Sequence, residues 1–348
     1  MKLPIEITGV YKIFKILENQ FHNKDISNDS FLVTGGAGFI GSHIAEYLLK
    51  NGAKKVRVLD NMVNGFEKNL AILGAYPAFE FIKGDIRDLD TCMQACEGID
   101  YISHQAALGS VPRSIKEPVY FNDVNVGGFV NMLKAAVENK VKSFVYASSS
   151  SVYGDEPTLP KVESRIGNCL SPYAATKKTN ELYAQVFADV YGIKLMGFRY
   201  FNIFGPRQDP DGPYAAVIPL FVKGIMNETP VYINGDGEQT RDFTYVDNAV
   251  QINIKGMLTE NADAFNKVYN VACGEYYSVN HLYQACASQL QSEWKPVHRE
   301  PRAGDIRNSL ADVSLAKNNL SYQPVKQFEA GLIDTIEFFK NVYSKQHT

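Results

Sequence analysis

Strand-like runs and helical spacing alternate along the chain from Phe31 onward. FLVTG (31–35) is a short run with the apolar and aromatic content of a buried strand. SHIAEYLLKNG (42–52) places its apolar residues at helical spacing and closes on Gly52, a C-terminal stop signal. Strand-like runs return at VRVLD (56–60), FEFIKGD (79–85), DYISHQAA (100–107), KSFVYASS (142–149) and LMGFRYFNIFG (195–205). Strands alternating with helices predict an α/β fold with a parallel sheet covered on both faces. The rhythm breaks twice. Residues 1–30 are expected to form one amphipathic helix packed on the outside. Residues 206–348 carry more loops and are expected to form a smaller C-terminal α/β subdomain that binds substrate, with some chain returning to the main 31–205 domain.

Composition narrows the class. Of 348 residues, 45% are hydrophobic and 21% charged, which excludes a wholly disordered chain. The net charge of −3 comes without basic blocks, so nucleic acid is not an expected partner. No apolar run approaches the ~18–20 residues that cross a bilayer, so no membrane partner is expected. The first 30 residues lack the apolar core and cleavage site of a secretion signal, and the expected location is cytoplasmic. Five cysteines without a Cys/His cluster give no metal site.

In TGGAGFIG, Gly35, Gly38 and Gly41 recur at three-residue spacing between a strand and a helix, and Gly36-x-Gly38-x-x-Gly41 overlaps them. Glycine is needed where backbone turns tightly against a pyrophosphate, which the helix N-terminus then holds by free N–H groups. Asp60 ends the next strand. A carboxylate there accepts hydrogen bonds from a ribose and repels an extra phosphate, so NAD is expected rather than NADP. Asp85-Ile86 after the third strand can frame the adenine, and the small residues of Gln105-Ala106-Ala107 let backbone lie against the dinucleotide. His104 beside them is expected to be a packed core histidine with no chemical role.

In LSPYAATKKTNELYAQVF (170–187), Ser171 suits an N-cap and Pro172 the first helical position. Tyr173 and Lys177, four apart, then share one helix face. A free tyrosine, with a pKa of ~10, is a poor base at neutral pH. The Lys177 ammonium, the helix N-terminus and a nicotinamide cation are expected to lower it. By itself Y-x-x-x-K is cheap, since Tyr11 and Lys15 repeat it; its place after the fifth strand gives it weight. That strand runs into ASSSSVYG (147–154), where one hydroxyl can relay a proton between substrate and tyrosine while others serve the turn.

TGGAGFIG, Asp60-Asn61, HQAA, SSSSVYG, SPYAATK and RYFNIFGPRQ together resemble the extended short-chain dehydrogenase/reductase family, in particular its nucleotide-sugar 4-epimerases, from Phe31 to about Lys340. LGSVPRS (108–114), DPDGPYAAVIP (209–219), VYINGDGEQTRDF (231–243) and GDIRNSLAD (304–312) are similar to bacterial UDP-N-acetylglucosamine 4-epimerases of surface-polysaccharide synthesis. The resemblance implies a Rossmann-type doubly wound sheet and a catalytic set of Ser149, Tyr173 and Lys177. It implies NAD held by Gly35, Gly38, Phe39, Ile40, Gly41, Asp60, Asn61, Gly65, Asp85, Ile86, Gln105, Ala106 and Ala107, with Tyr173 and Lys177. It also implies a UDP-sugar substrate. Asn202 and Arg241 would hold that substrate, Ala216-Val217 and Tyr232 with Asn234 would surround the uridine, and Arg302 and Asp305 would meet the diphosphate and ribose. Gly109, Ser110, Ser150, Gln208 and Ala216 would line the sugar pocket. Ser309 falls where epimerases limited to unacetylated sugars carry a bulky tyrosine, which implies room for an N-acetyl group. Arg113 could face a phosphate or the carboxylate of UDP-GlcNAcA and UDP-GalNAcA, so a uronic acid epimerase stays open. A 4,6-dehydratase is disfavoured because Ser150-Ser151 stand where its Asp-Glu pair would be, and a non-catalytic NAD-binding regulator because all three catalytic residue types are present. A homodimer through the Tyr173–Val190 helix is a further implication.

Overall fold

The computed structural model describes residues 19–211, 216–301 and 307–344. Strands β1 (Ser30–Thr34), β2 (Lys55–Asp60), β3 (Phe79–Lys83), β4 (Tyr101–His104), β5 (Ser143–Ser149) and β6 (Leu195–Tyr200) are joined by crossover helices. The helices are α1 (Phe39–Lys50), α2 (Glu67–Leu73), α3 (Leu89–Cys96), α4 (Val111–Lys116), α5 (Pro118–Asn122), α6 (Gly128–Glu138) and α7 (Pro172–Tyr191). The C-terminal part adds β7 (Ile203–Phe204), α8 (Val217–Met226), β8 (Tyr232–Asn234), β9 (Thr240–Arg241), β10 (Thr244–Tyr245), α9 (Val246–Leu258), β11 (Lys267–Val271), β12 (Tyr277–Ser278) and β13 (Val297–Arg299).

Among the described residues the main sheet has seven parallel strands in the order β11-β6-β5-β4-β1-β2-β3. The chain winds outward from β1 in one direction and from β4 in the other, so a crevice opens at the carboxyl ends between them. This is the Rossmann-type doubly wound α/β fold.

The continuous apolar runs of the strands have a direct physical meaning, because both faces of the sheet are covered. On β1, Phe31 and Val33 enter a core with Ile44 and Leu48 of α1 and Val250 and Ile254 of α9. Leu32 points the other way, into a core with Cys92 of α3, Met132 and Leu133 of α6 and Phe187 of α7. Each such side chain contributes about 1.5–3 kcal/mol by leaving water. A third core, built around Phe221, Ile233, Phe243, Tyr245 and Phe328, organises the C-terminal part. Phe39 of α1, Ile203 and Val217 pack against it, which ties the two parts together.

Two expectations change, at the sixth strand and in the N-terminal segment, and the chain expected to return to the main domain is identified. LMGFRYFNIFG is not one strand: Asn202 turns at φ 38°, ending β6, and β7 leaves the main sheet to pair with β10. The seventh strand, β11, comes from the C-terminal part and completes the sheet beside β6. The helix expected over 1–30 does not extend through 19–29, which is irregular and folds onto α1; Phe21 stacks on Tyr47 at 5.0 Å and its N–H donates to the Tyr47 hydroxyl at 2.7 Å. The remainder of that segment, 1–18, lies outside the described residues.

Candidate functional site

The glycine turn leaves β1 at Gly35, whose φ of 67° belongs to the left-handed region. A Cβ there would lie 2.8 Å from the Ala106 backbone nitrogen, and one on Gly41 would lie 2.3 Å from the Gly35 carbonyl oxygen. Only glycine permits this packing of turn, helix and β4 end. Gly38 caps α1 without any side-chain bond, and no acidic residue occupies the first turn, so Phe39, Ile40 and Gly41 begin a helix with open N–H groups. Asp60, almost fully buried, accepts from the N–H of Ala37 at 3.0 Å and of Met62 at 2.8 Å. Burial pushes its carboxyl above the ordinary range while these two bonds pull it back. Its oxygens retain lone pairs for a ribose. A Cβ on Gly65 would lie 2.9 Å from Asp60 Oδ1, so glycine keeps that side clear. The cradle, the open helix end and the carboxylate at the β2 terminus fit a dinucleotide.

Asp85 and Asn61 bond each other at 3.0 Å, and Arg87 forks onto Asp85 at 2.8 and 3.1 Å. The Arg87 hydrogen bonds, against the opposing effect of burial, hold the Asp85 carboxyl down at about 2. Ile86 is buried beside them, its carbonyl accepting from Asn131 at 3.0 Å. Gln105 directs its amide to Ser103 and Asn253, both at 3.0 Å, and the Ala106 backbone lies against Gly35 of the turn. His104 is buried against Phe144, bonded to Thr34 Oγ1 at 2.9 Å and pushed down to about 3 by burial, so it stays neutral.

Tyr173 and Lys177 lie on the first turns of α7, where Ser171 accepts from the Ala174 N–H at 3.1 Å. Lys177 is buried and donates to the Ala147 carbonyl of β5 at 2.7 Å, its pKa pushed down to about 8 by burial. Tyr173 does not have the lowered phenol expected from its neighbours. Burial raises it, a side-chain hydrogen bond with Ser149 opposes that, and the Lys177 ammonium is spent on a carbonyl.

The serine run divides its work. Ser148 donates to Glu181 Oε1 at 2.7 Å. Ser149 caps the following turn by accepting from the Ser151 N–H at 3.1 Å and also serves Tyr173. Ser150 opens that turn, half-buried beside Ser149. Glu181 was not singled out in the sequence, although it continues the Tyr173, Lys177 spacing by one turn. It is forked by Arg199 at 2.8 and 2.9 Å. Asn125 was also missed; it brackets Leu108 at 2.8 and 3.1 Å and reaches Thr176 at 3.1 Å, joining the 108 segment to α7.

The remaining candidates border the same crevice or the C-terminal part. Gly109 faces open space, and Ser110 caps α4 by accepting from the Arg113 N–H at 3.2 Å. Arg113 forks onto Glu117 at 3.0–3.2 Å. Asn202 donates to the Asp242 carbonyl at 3.2 Å, and Gln208 to the Ile203 carbonyl at 3.1 Å while its own buried Oε1 has no partner among the described residues. Ala216 caps α8, which starts at Val217. Tyr232 on β8 lies under the Arg299 guanidinium at 5.0 Å, and Asn234 accepts from Arg299 at 2.6 Å. Arg241 of β9 pairs with Tyr277 of β12, and Ser309 is half-buried between segments described below. Arg302 and Asp305 lie outside the described residues. Among the described residues no helix is long and apolar enough to cross a membrane.

Comparison with known proteins meets this geometry. Residues 31–272 match the model of the NAD dependent epimerase/dehydratase family. The UDP-glucose 4-epimerase of Mycolicibacterium smegmatis is 36% identical over 312 residues, covering 89% of this chain and 98% of that protein. A UDP-N-acetylglucosamine 4-epimerase from Methanobrevibacter ruminantium, solved with UDP-N-acetylmuramic acid, shares 39% identity at a TM-score of 0.85 and covers 90% of this chain and 99% of its own. The UDP-glucose 4-epimerase of Thermotoga maritima, solved with UDP-glucose, shares 34% with the same TM-score of 0.85 and the same coverages, 90% and 99%. With the glycine turn, the carboxylate at the β2 end and a matched span of most of the sheet, the chain belongs to the NAD-dependent epimerase/dehydratase family, within the extended short-chain dehydrogenase/reductases.

Proposed function

We propose that this protein interconverts the C4 epimers of a UDP-N-acetylhexosamine, UDP-GlcNAc and UDP-GalNAc. The observation that carries the reading is that Ser149 at the β5 end bonds Tyr173, while Lys177 one turn further along α7 donates to the Ala147 carbonyl of the same strand. Reversible hydride acceptance at the sugar carbon is the chemistry that NAD supplies when bound, held by the glycine turn, the first turn of α1 and Asp60. Tyr173 takes the proton from the sugar 4-hydroxyl and returns it to the 4-keto oxygen, and Ser149 orients that oxygen by hydrogen bonding. Lys177 fastens the start of α7 to the β5 end by donating to the Ala147 carbonyl, and the positive charge of bound NAD would favour the phenolate. Rotation of the 4-keto sugar between the two proton transfers exposes its other face, so the UDP end must anchor while the sugar end stays loose. Arg241, Asn202 and the Tyr232–Asn234 strand supply the anchor.

Ser309 supports an N-acetylated sugar, because a small residue leaves room beside the sugar C2. Arg113 is engaged by Glu117, which favours a neutral hexosamine over a uronic acid. The serines at 150 and 151 offer no acid for a dehydratase. An apolar outer face on α7, with Leu182, Val186 and Val190 more than half exposed, continues through Ile115 and Val119 and supports a homodimer.

Incubation with UDP-GlcNAc, UDP-glucose and UDP-GlcNAcA separately, with the C4 epimers resolved, tests the substrate. Turnover of UDP-glucose alone refutes the reading of Ser309. A Ser309→Tyr variant should lose the acetylated substrate selectively; equal loss on both sugars removes it as a gate.

A further inference from the structure

Asp242 follows β9 directly and is completely buried, so it cannot touch a ligand. Its Oδ1 accepts from the Cys273 N–H at 3.0 Å; its Oδ2 accepts from the N–H of Gly274 at 3.1 Å and of Ala311 at 3.3 Å. Its backbone carbonyl accepts from Asn202 at 3.2 Å. One residue therefore binds the turn after β6, the turn after β11 and the segment that carries Ser309. Burial pushes its carboxyl up to about 7, against those three N–H bonds.

The Ser309 segment is held on its other side as well. Thr240 donates its N–H to the Arg307 carbonyl at 2.9 Å and its hydroxyl lies 3.2 Å from Asn308 Oδ1. Lys161 donates its N–H to the Leu310 carbonyl at 2.8 Å and accepts from the Asp312 N–H at 2.9 Å. Ser309 thus lies between residues fastened to β9 and a residue fastened to Asp242. A surface loop does not need a buried carboxylate to stay folded, because water satisfies its backbone. Here the chain spends a desolvated acid on fixing where three segments meet.

We propose that Asp242 is the positioning residue of the nucleotide-sugar site, setting the Ser309 segment against Arg241 and Asn202 through its buried carboxylate. This rests on the UDP-sugar reading above. Asp242→Asn keeps the shape but offers one acceptor oxygen and turns an NH₂ toward at least one backbone N–H. Loss of one buried hydrogen bond of this kind corresponds to about tenfold in an equilibrium constant, so UDP should bind about tenfold more weakly. Asp242→Ala should weaken it further.

Calorimetric titration of the full chain with UDP reads this directly, alongside KM and kcat for the sugar that turns over. The expected result is a raised Kd for UDP and a raised KM, with kcat and NAD affinity close to wild type. A purely structural role would lower Tm and the active fraction while leaving Kd and KM unmoved, and that result overturns the proposal. Wild-type protein that binds no UDP instead overturns the nucleotide-sugar reading itself. If neither variant folds, hydrogen exchange on wild type decides: UDP should slow exchange at Gly274 and Ala311 together, and no response at these amides overturns it.

Discussion

Replacing Glu181 by Gln should destabilise the protein by more than a surface ion pair can. Glu181 and Arg199 expose 5% and 2% of their side chains, and Arg199 donates to both carboxylate oxygens at 2.8 and 2.9 Å. Burial alone would raise the Glu181 carboxyl, yet the Arg199 bonds and charge, with the Ser148 hydroxyl, hold it below the usual glutamate range. Glutamine keeps the volume but removes the charge and one of the two acceptor oxygens, leaving Arg199 with a single amide oxygen beside the Glu163 carbonyl at 3.0 Å and the Tyr153 ring at 4.9 Å. Breaking one side of a buried pair costs about 3–5 kcal/mol. An unfolding entropy of roughly 2.1 cal/mol/K per residue is about 0.7 kcal/mol/K over 348 residues, so Tm should fall by about 4–7 °C. A depressed carboxyl stabilises the fold above the ordinary glutamate range and loses that effect as pH falls through its folded pKa. The gap between wild type and Glu181→Gln in calorimetric scans should therefore narrow in acid. A Tm within 1 °C of wild type at neutral pH, or a gap independent of pH, refutes the reasoning.

Gly35→Ala should abolish NAD binding, because the new methyl meets backbone of Ala106 at 2.8–2.9 Å. Gly98→Ala is the control: the same positive φ, 66°, with nothing within 4 Å, so it incurs only the conformational cost of about 1–2 kcal/mol and binds NAD normally by titration. Lys177 gives a pH signature. Its folded amine titrates near 8 and its unfolded amine near 10.5, so the buried charge opposes folding below 8 and stability rises with pH between the two values. Wild type should gain Tm relative to Lys177→Met across that window in thermal scans, and parallel curves refute the burial.

Short-range information was legible in the chain. The spacing of Gly35, Gly38 and Gly41 between a strand and a helix located the tight turn that opens α1, since its left-handed Gly35 is a local feature, while the approach of Ala106 to that turn is not. The four-residue spacing of Tyr173 and Lys177 placed both on one helix face for the same reason. The strands' apolar content identified most of the sheet, though it merged β6 with β7 because Phe201, buried, continues the apolar run through the turn at Asn202. Motif alignment singled out Ser149, but that Ser148 turns to Glu181 depends on how β5 meets α7. Glu181 carried a local signal, its helical spacing from Lys177, while its partner Arg199 lies on another strand.

Strand order, which C-terminal segment returns to the sheet and the three-way junction at Asp242 were decided only by tertiary structure. Gln105 finds Asn253 across 148 residues, and Asp242 finds Ala311 across 69. Hydrophobic periodicity reports which face of an element leaves water, and says nothing about which distant polar group will satisfy a buried one. That second choice belongs to the packed chain, because a desolvated carboxylate or amide can be paid for only by partners that packing brings within hydrogen-bond reach.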